Sequence, residues 1–347
     1  MVTKGSRTLD LGKICICALL SVVCMSPVLF AAGAKEAPVQ EEAEQIVLRY
    51  GDLISDSHPM FMAATVFANR LEEKSGGRIK VELYPSGQLG DQKTQIQAVQ
   101  MGAQDMYRGN PAILSEYGVK KMAVLELPNI FRNVEHAWNV LRGPIGKELL
   151  EAIDNSNIGV IGLGFYTESP RCFFFRNKTV TKLADMKGLK IRVPESAMYM
   201  DMVRAFGASP TPISYSELYS ALQTGVVDGA ENALAGYESN KFYEVAPEFT
   251  FNGHMASPYP TIFSEVRWKT LSAADQELIR ECWKESEYWL QDYSAKLNEK
   301  TIAELKAKGI KFHDVENIQE WIDAATPLYQ KYGAGYEDLI VRIQAVE

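Results

Sequence analysis

Residues 187–232 read KGLKIRVPESAMYMDMVRAFGASPTPISYSELYSALQTGVVDGAEN. An extended run containing Arg192 opens this stretch, and a second extended run closes it at Asn232. Arg192 alternates with apolar β-formers, which predicts a guanidinium near the end of a strand. A guanidinium can form a bidentate pair with a carboxylate, because the two planar groups match in shape. The stretch therefore predicts an acid-binding pocket, with an ordinary strand-end salt bridge as the alternative.

The sequence in and around this stretch resembles the extracytoplasmic solute-binding proteins of TRAP transporters. The motifs that carry the resemblance follow one another at the family's spacing: YPSGQLG (84–90), KGLKIRVP (187–194), GASPTPISYSELYSALQTG (207–225), VVDGAEN (226–232) and KFYEV (241–245). Together they are far more specific than one short motif, and the resemblance covers roughly residues 46–347. It implies a receptor that binds an organic acid and delivers it to the small and large subunits of a membrane permease.

The N-terminus predicts export. Three basic residues precede an apolar run at 14–32, and small residues at 31–34 offer an Ala-x-Ala-like cleavage site. We therefore predict a cleavable signal peptide over residues 1–34 and a periplasmic mature protein. One alternative is a membrane anchor, because the run approaches spanning length. The other is a lipid anchor at Cys24, although Val23 stands where a small residue normally precedes the lipidated cysteine.

Charge and cysteine content exclude several classes of function. The 347-residue chain has a formal net charge of −8, and removal of residues 1–34 takes away three basic residues and one acidic residue. The more acidic mature protein is a poor partner for nucleic acid or anionic membranes. Only Cys172 and Cys282 follow residue 34, which excludes a disulfide framework or a Cys-x-x-Cys metal site. We expect two buried thiols, although a disulfide between them stays open at this point.

Length and pattern predict two α/β lobes. About 310 residues follow the predicted signal peptide, more than one ordinary core contains. Two series of alternating strands and helices predict lobes based on parallel sheets. The predicted strands are 46–50, 79–84, 105–107, 158–165 and 190–194, and the predicted helices are 60–75, 92–101, 197–206 and 215–224. We assign residues 46–168 and about 257–300 to lobe I, and residues 169–256 and about 301–347 to lobe II.

Capping patterns sharpen two of these elements. Ser214 and Glu217 have the spacing of a capping box, and Gly225 is placed to stop that helix. Ser272 opens a helical pattern that meets no glycine or proline before Gly309, which predicts one helix of roughly 50 Å. The resemblance implies that this helix spans both lobes and that hinge strands join them. The predicted buried stripe of the helix is Leu278, Cys282, Trp289, Tyr293 and Leu297.

The resemblance also implies where the second lobe binds its ligand. Arg192 occupies the position of the family's carboxylate-binding arginine, Asn232 that of its polar companion, and Tyr215 that of an aromatic residue near the ligand. Arg171 lies close to where many relatives carry a second binding arginine, but ESPR stands here in place of Gly-x-Arg. Ordinary core packing is the alternative for Tyr215.

Three further candidates lie in the first lobe. Arg108 follows the third predicted strand, Asn110 is its neighbour, and His58 follows the first predicted strand. Ligands of open α/β sheets bind at the carboxyl ends of strands, so these side chains are expected at the cleft. Helix capping explains Asn110 nearly as well and His58 equally well. We expect closure of the cleft to bring these groups to a carboxylate fixed by Arg192 and Asn232.

Two other classes of protein compete with a receptor of this kind. An enzyme built on βα units is one, but the sequence has no Gly-rich phosphate loop, no His-Glu-x-x-His, no clustered metal ligands and no Gly-x-Ser-x-Gly. Arginines and amides bind a carboxylate but supply no general base near neutral pH. We therefore predict a receptor without a catalytic role or cofactor. The other competitor is a ligand-sensing module of a signalling receptor.

The identity of the acid follows less directly. Several arginines together with His58, Asn110 and Tyr215 favour a hydroxylated acid, such as a hexuronate or aldonate, because each hydroxyl needs a polar partner. A C4-dicarboxylate is the alternative, since the extra arginines could hold its second carboxylate. Aromatic 2-oxo acids and phosphorylated polyols also remain open.

Overall fold

In a computed structural model, which describes residues 45–347, the chain forms two mixed β-sheets covered by helices. The predicted signal peptide and Cys24 lie outside the described residues. The strands are β1 (Ile46–Gly51), β2 (Ile79–Tyr84), β3 (Met106–Arg108), β4 (Val160–Tyr166), β5 (Arg171–Phe175), β6 (Lys190–Val193), β7 (Ser209–Pro212), β8 (Gly229–Asn232), β9 (Glu248–Met255), β10 (Tyr259–Ser264) and β11 (Lys311–Asp314). The helices are α1 (Pro59–Lys74), α2 (Gln92–Gln100), α3 (Pro111–Glu116), α4 (Val134–Arg142), α5 (Pro144–Asp154), α6 (Ala197–Ala205), α7 (Leu218–Thr224), α8 (Leu234–Ser239), α9 (Glu265–Trp268), α10 (Ala273–Ala307), α11 (Ile318–Tyr332) and α12 (Glu337–Ala345).

The first sheet has the strand order β2-β1-β3-β10-β4. Strands β1, β2 and β3 are parallel and come from the predicted β-α-β-α-β alternation. Strand β10 comes from much later in the chain and lies antiparallel between β3 and β4, with Thr261 opposite both Arg108 and Gly164. The sheet is therefore mixed, with a parallel part at one side only.

The second sheet has the order β11-β9-β5-β8-β6-β7. Strands β6, β7 and β8 are parallel, and β5 lies antiparallel between β8 and β9. The chain crosses from the first sheet to the second between β4 and β5, and it returns between β9 and β10. Residues 167–170 and 256–258 are thus two of the connections between the lobes, and α10 later leads from the first sheet to β11 of the second.

The predicted capping box at the start of α7 does not form. The Ser214 hydroxyl donates to the Glu217 carboxylate (2.7 Å), so neither side chain caps a backbone N–H. A 3-10 turn occupies Tyr215–Glu217, and α7 begins only at Leu218. The predicted stop is confirmed, because Gly225 ends the helix with a φ of +80°.

The predicted long helix is confirmed as α10, which has 35 residues. Its N-terminal half packs against α1 and β4, and Trp283 stacks on Tyr166 with 4.4 Å between ring centroids. Near its C-terminus Leu305 joins the core of the second sheet, so the helix spans both lobes. The predicted stripe is confirmed in part: Cys282 is buried, and Leu278 and Trp289 are partly buried against the core of the first sheet, whereas Tyr293 and Leu297 are only partly buried. The helix lies in a groove, which buries a broader face that includes Ile279, Trp283 and Leu290.

The two last helices pack on different lobes. Trp321 of α11 lies in the core of the second sheet. Helix α12 differs from the predicted assignment of residues 301–347 to lobe II, because Leu339 and Ile343 pack into the core of the first sheet. The expectation of two buried thiols is confirmed, since Cys172 and Cys282 are both buried and unpaired.

Candidate functional site

A cavity lies between the two sheets and is lined by side chains at or just after the carboxyl ends of β1, β3, β6 and β8, together with the first residues of β5 and β10. It encloses about 520 Å³, including the part open to solvent. All seven predicted site residues line it: His58, Arg108, Asn110, Arg171, Arg192, Tyr215 and Asn232. The structure therefore brings the predicted residues together, and their contact with a ligand stays a prediction.

Arg108 already has a carboxylate partner. Its Nε donates to Asp52 Oδ2 (2.8 Å) and its Nη2 to Asp52 Oδ1 (2.7 Å), both in buried surroundings. Burial alone would lower the pKa of Arg108, but the adjacent Asp52 carboxylate outweighs burial and raises it. The guanidinium also lies over the ring of Tyr259, 4.3 Å from its centroid. The positive charge of Arg108 is thus neutralised by the protein itself.

Arg171 has a carboxylate partner as well. Its Nη2 donates to Glu231 Oε1 (2.8 Å), its Nε donates to Glu231 Oε2, and its Nη1 donates to the Tyr259 hydroxyl. Burial alone would raise the pKa of Glu231, but the charge of Arg171 outweighs burial and holds that pKa at about 2. Both groups are therefore charged at neutral pH, and the pair carries no net charge.

Arg192 differs from the other two arginines. Its side chain is 1% exposed, its Nε donates to the carbonyl of Ile213 (2.9 Å), and its Nη2 has no hydrogen-bond partner among residues 45–347. No carboxylate of the described chain pairs with it, so the predicted alternative of a strand-end salt bridge does not hold here. Burial lowers the pKa of Arg192 to about 10, which leaves it charged at neutral pH. The cavity thus contains one buried cation that lacks an anion.

Asn232 and Tyr215 adjoin this cation. The guanidinium carbon of Arg192 lies 5.7 Å from the centroid of the Tyr215 ring. The Tyr215 hydroxyl accepts from Asn232 Nδ2 (3.1 Å) and from Asn240 Nδ2 (2.9 Å), so its own proton is free to donate elsewhere. Asn232 Oδ1 accepts from the backbone N–H of Ala233 (2.8 Å), which fixes the amide orientation. These groups hold a hydroxyl donor beside Arg192.

His58 combines the two predicted roles. It is the N-cap of α1, where Nδ1 accepts from the backbone N–H of Met60 (3.2 Å), but it is buried rather than on the surface. Burial, together with the charge of Arg108, lowers its pKa to about 3. The neutral ring therefore carries its proton on Nε2, which lies 3.4 Å from Glu168 Oε2.

The side-chain amide of Asn110 forms its hydrogen bonds with groups of the protein. Its Oδ1 caps α3 by accepting from Ile113 N (3.2 Å), and its Nδ2 donates to Glu126 Oε1 (3.2 Å) and to the Tyr199 hydroxyl (3.3 Å). Tyr199 belongs to the second lobe and also donates to Glu126 (2.8 Å). Asn110 therefore lines the cavity chiefly as part of a network between the lobes.

Contacts across the mouth show that the cleft is closed. Lys93 of the first lobe forms an ion pair with Glu195 of the second lobe (2.8 Å). The backbone N–H of Ala197, at the start of α6, donates to Glu116 Oε1 (3.0 Å). The arrangement is that of a cleft shut over its cavity.

Sequence reasoning missed four cavity-facing or adjoining residues: Asp52, Glu168, Glu231 and Tyr259. Glu231 lies inside the VVDGAEN motif, and Glu168 lies in the ESPR segment beside Arg171, so both stood next to predicted residues. Nothing local pairs Asp52 with Arg108 or Glu231 with Arg171, because the partners are 56 and 60 residues apart.

The arrangement suits binding of a small anion. Among residues 45–347, no group of three or more His, Cys, Asp or Glu side chains could hold a metal ion. No helix in the same range is long and apolar enough to cross a membrane. The cavity offers a cation, hydroxyls and amides in a buried setting, where hydrogen bonds to an anion are strong.

The model of one protein family, described as bacterial extracellular solute-binding protein, family 7, matches residues 50–335. The chain belongs to this family. The predicted resemblance to TRAP solute-binding proteins is thereby confirmed, and family 7 consists of solute-binding receptors rather than enzymes.

Relatives of family 7 agree in sequence and in fold. The chain is 30% identical to the C4-dicarboxylate-binding periplasmic protein DctP of Rhodobacter capsulatus, over 83% of this chain and 87% of the relative. A TRAP periplasmic solute-binding protein of Bradyrhizobium sp. BTAi1, solved with galacturonate, has a TM-score of 0.81 and 36% identity over 86% of this chain and 99% of its own. A Pseudomonas putida F1 protein, solved with D-glucuronate, has a TM-score of 0.83 and 30% identity over 87% and 98%.

Proposed function

We propose that this family 7 protein is the periplasmic receptor of a TRAP transporter and that it binds a sugar acid, a hexuronate or aldonate, in the closed cleft. The observation that carries the proposal is the buried guanidinium of Arg192, whose Nη2 has no partner among the described residues. A buried, unpaired cation is costly, and the carboxylate of a bound acid would satisfy it. The relatives solved with galacturonate and glucuronate support a uronate.

The cavity charges favour a ligand with one carboxylate. Arg108 and Arg171 are neutralised by Asp52 and Glu231, so Arg192 is the one arginine of the cavity that is free to balance an added negative charge. The hydroxyl of Tyr215 and the Nε2–H of His58 are then available to the hydroxyls of a sugar acid. The alternative, a C4-dicarboxylate, is supported by the similarity to DctP of Rhodobacter capsulatus.

Closure provides the output of the receptor. The acid enters the open cleft, Arg192 and Asn232 hold its carboxylate, and contacts such as Lys93 with Glu195 form as the lobes close. Binding and closure are then one linked equilibrium. The small and large permease subunits would distinguish the closed form from the open one and receive the acid. A receptor that reports the acid to a signalling protein would use the same closure.

Isothermal titration calorimetry of residues 35–347 tests the proposal. D-galacturonate and D-glucuronate are expected to bind, and neutral glucose is expected not to bind. Arg192→Met should weaken binding by about 2–5 kcal/mol, because it leaves the ligand carboxylate without its buried partner. Arg49→Met is the matched control, since Arg49 is exposed on β1. Unchanged affinity in the folded Arg192→Met variant would contradict the proposal.

A further inference from the structure

One carboxylate of the cavity has no arginine partner. Glu168 lies in the crossing segment between β4 and β5, lines the cavity and is 5% exposed. Its Oε2 is buried without a hydrogen-bond partner among residues 45–347. His58 Nε2 lies 3.4 Å from this oxygen, but the two atoms do not form a hydrogen bond. Glu168 therefore presents an unsatisfied acceptor in the same cavity in which Arg192 presents an unsatisfied donor.

These two groups set complementary requirements on a ligand. Arg192 requires an anionic acceptor, whereas an unsatisfied buried acceptor such as Glu168 Oε2 requires a donor. A hydroxyl group supplies that donor. A second carboxylate does not, because ionised carboxylates only accept hydrogen bonds and repel one another.

We propose that Glu168 accepts a hydrogen bond from a hydroxyl of the bound acid and thereby selects hydroxylated monocarboxylates over dicarboxylates. This inference rests on the proposed function, since it assumes that Arg192 holds the carboxylate of the acid. Burial raises the pKa of Glu168 to about 7, so neutral and ionised forms are both present at neutral pH. A carboxyl oxygen accepts from a hydroxyl in either form, whereas the discrimination against a second carboxylate comes from the ionised form.

The neighbours of Glu168 are arranged for this task. His58 is held by its bond to Met60 N, so its Nε2–H stays beside the acceptor and can donate to another oxygen of the same ligand. Arg171 and Arg108 are the arginines whose charges act on Glu168, and both form ion pairs with other carboxylates. The Oε2 atom of Glu168 is therefore available to a ligand and is not occupied by a group of the protein.

The test compares wild type with Glu168→Met by calorimetry, using D-galacturonate and succinate as probes. Methionine keeps the approximate size of the side chain but removes both acceptor oxygens and the charge. Affinity for D-galacturonate is expected to fall at least tenfold, and the preference for D-galacturonate over succinate is expected to shrink. Glu151→Met makes the same change at an exposed site of α5 and is expected to change neither affinity.

A second arm needs no variant. Wild type is expected to bind D-galacturonate at least tenfold more tightly than succinate, and equal or tighter binding of succinate would overturn the proposal. It would also be overturned if folded Glu168→Met kept wild-type affinity for D-galacturonate. In that case a loss of binding in Arg192→Met would show that the proposed function still stands. Failure of wild type to bind any acid would instead refute the proposed function.

Discussion

Replacing Arg192 by methionine should stabilise the ligand-free protein while it weakens ligand binding. Burial lowers the pKa of Arg192 from the ordinary value of 12.5 to about 10. Since one pKa unit corresponds to about 1.4 kcal/mol, the charged folded state is disfavoured by roughly 3 kcal/mol at neutral pH. Methionine removes that penalty but also loses the hydrogen bond to the Ile213 carbonyl, which contributes about 1 kcal/mol. The expected net gain in the free energy of unfolding is therefore about 1–2 kcal/mol.

Urea unfolding at neutral pH measures this gain. Without ligand, Arg192→Met should unfold at higher urea than wild type, whereas Arg49→Met should stay close to wild type. D-galacturonate at a hundred times its wild-type dissociation constant should add about 2.7 kcal/mol to wild type and at most about 1 kcal/mol to Arg192→Met, so the ligand should cancel or reverse the difference in stability. The reasoning is refuted if ligand-free Arg192→Met is the less stable protein.

Three further predictions concern pH, closure and the thiols. Burial raises the pKa of the Glu287 carboxyl, on α10, to about 7. Between pH 4.5 and 7 the folded protein therefore keeps a proton that the unfolded chain loses. The free energy of unfolding falls as pH rises through this interval. Glu287→Gln should reduce the loss of unfolding free energy between pH 5 and 8 by about 2–3 kcal/mol, measured by urea unfolding. Lys93→Met removes the half-exposed ion pair with Glu195 and should weaken D-galacturonate binding by at most about fivefold in low salt, measured by calorimetry. Burial raises the pKa of Cys172 to about 12 and of Cys282 to about 11, so a thiol reagent should label neither in the native protein and both in urea.

Each of these has a control and a contrary outcome. Glu277→Gln lies on the exposed side of α10 and should follow the wild-type pH dependence; an equal response from both variants would argue against Glu287. Lys147→Met removes an exposed cation of α5, and the salt dependence of ligand binding should be unchanged in it but smaller in Lys93→Met. Absence of labelling in urea without reductant would show that the two cysteines pair.

Local patterns predicted most of the parallel parts of the fold. Strand β2 has its predicted bounds. Strand β1 ends one residue later than predicted, α2 ends one residue earlier, and α1 begins and ends one residue earlier. The alternation of apolar residues is enough for such elements, because neighbouring segments pack on each other. The antiparallel strands β5, β9 and β10 escaped prediction. Their pairing depends on partners far along the chain, and β10 is buried on both faces, which removes the period-two pattern.

The site was predictable as a set of positions but not as a balance of charges. Motif resemblance located Arg171 and Arg192, the end of the third predicted strand located Arg108, and all three line the cavity. Sequence alone gave them similar roles, whereas the structure separates two paired arginines from an unpaired one. That difference arises from Asp52 and Glu231, which approach their partners only through the arrangement of strands in each sheet.

The placement of β10 has a consequence for the order in which the molecule can form. This strand lies between β3 and β4, yet it is made only after five of the six strands of the second sheet. A chain growing from its N-terminus therefore carries β3 and β4 with facing, unpaired edges until Tyr259–Ser264 has emerged. The lobe that begins first is thus completed late, and a chain cut before β10 leaves a gap in the middle of its first sheet.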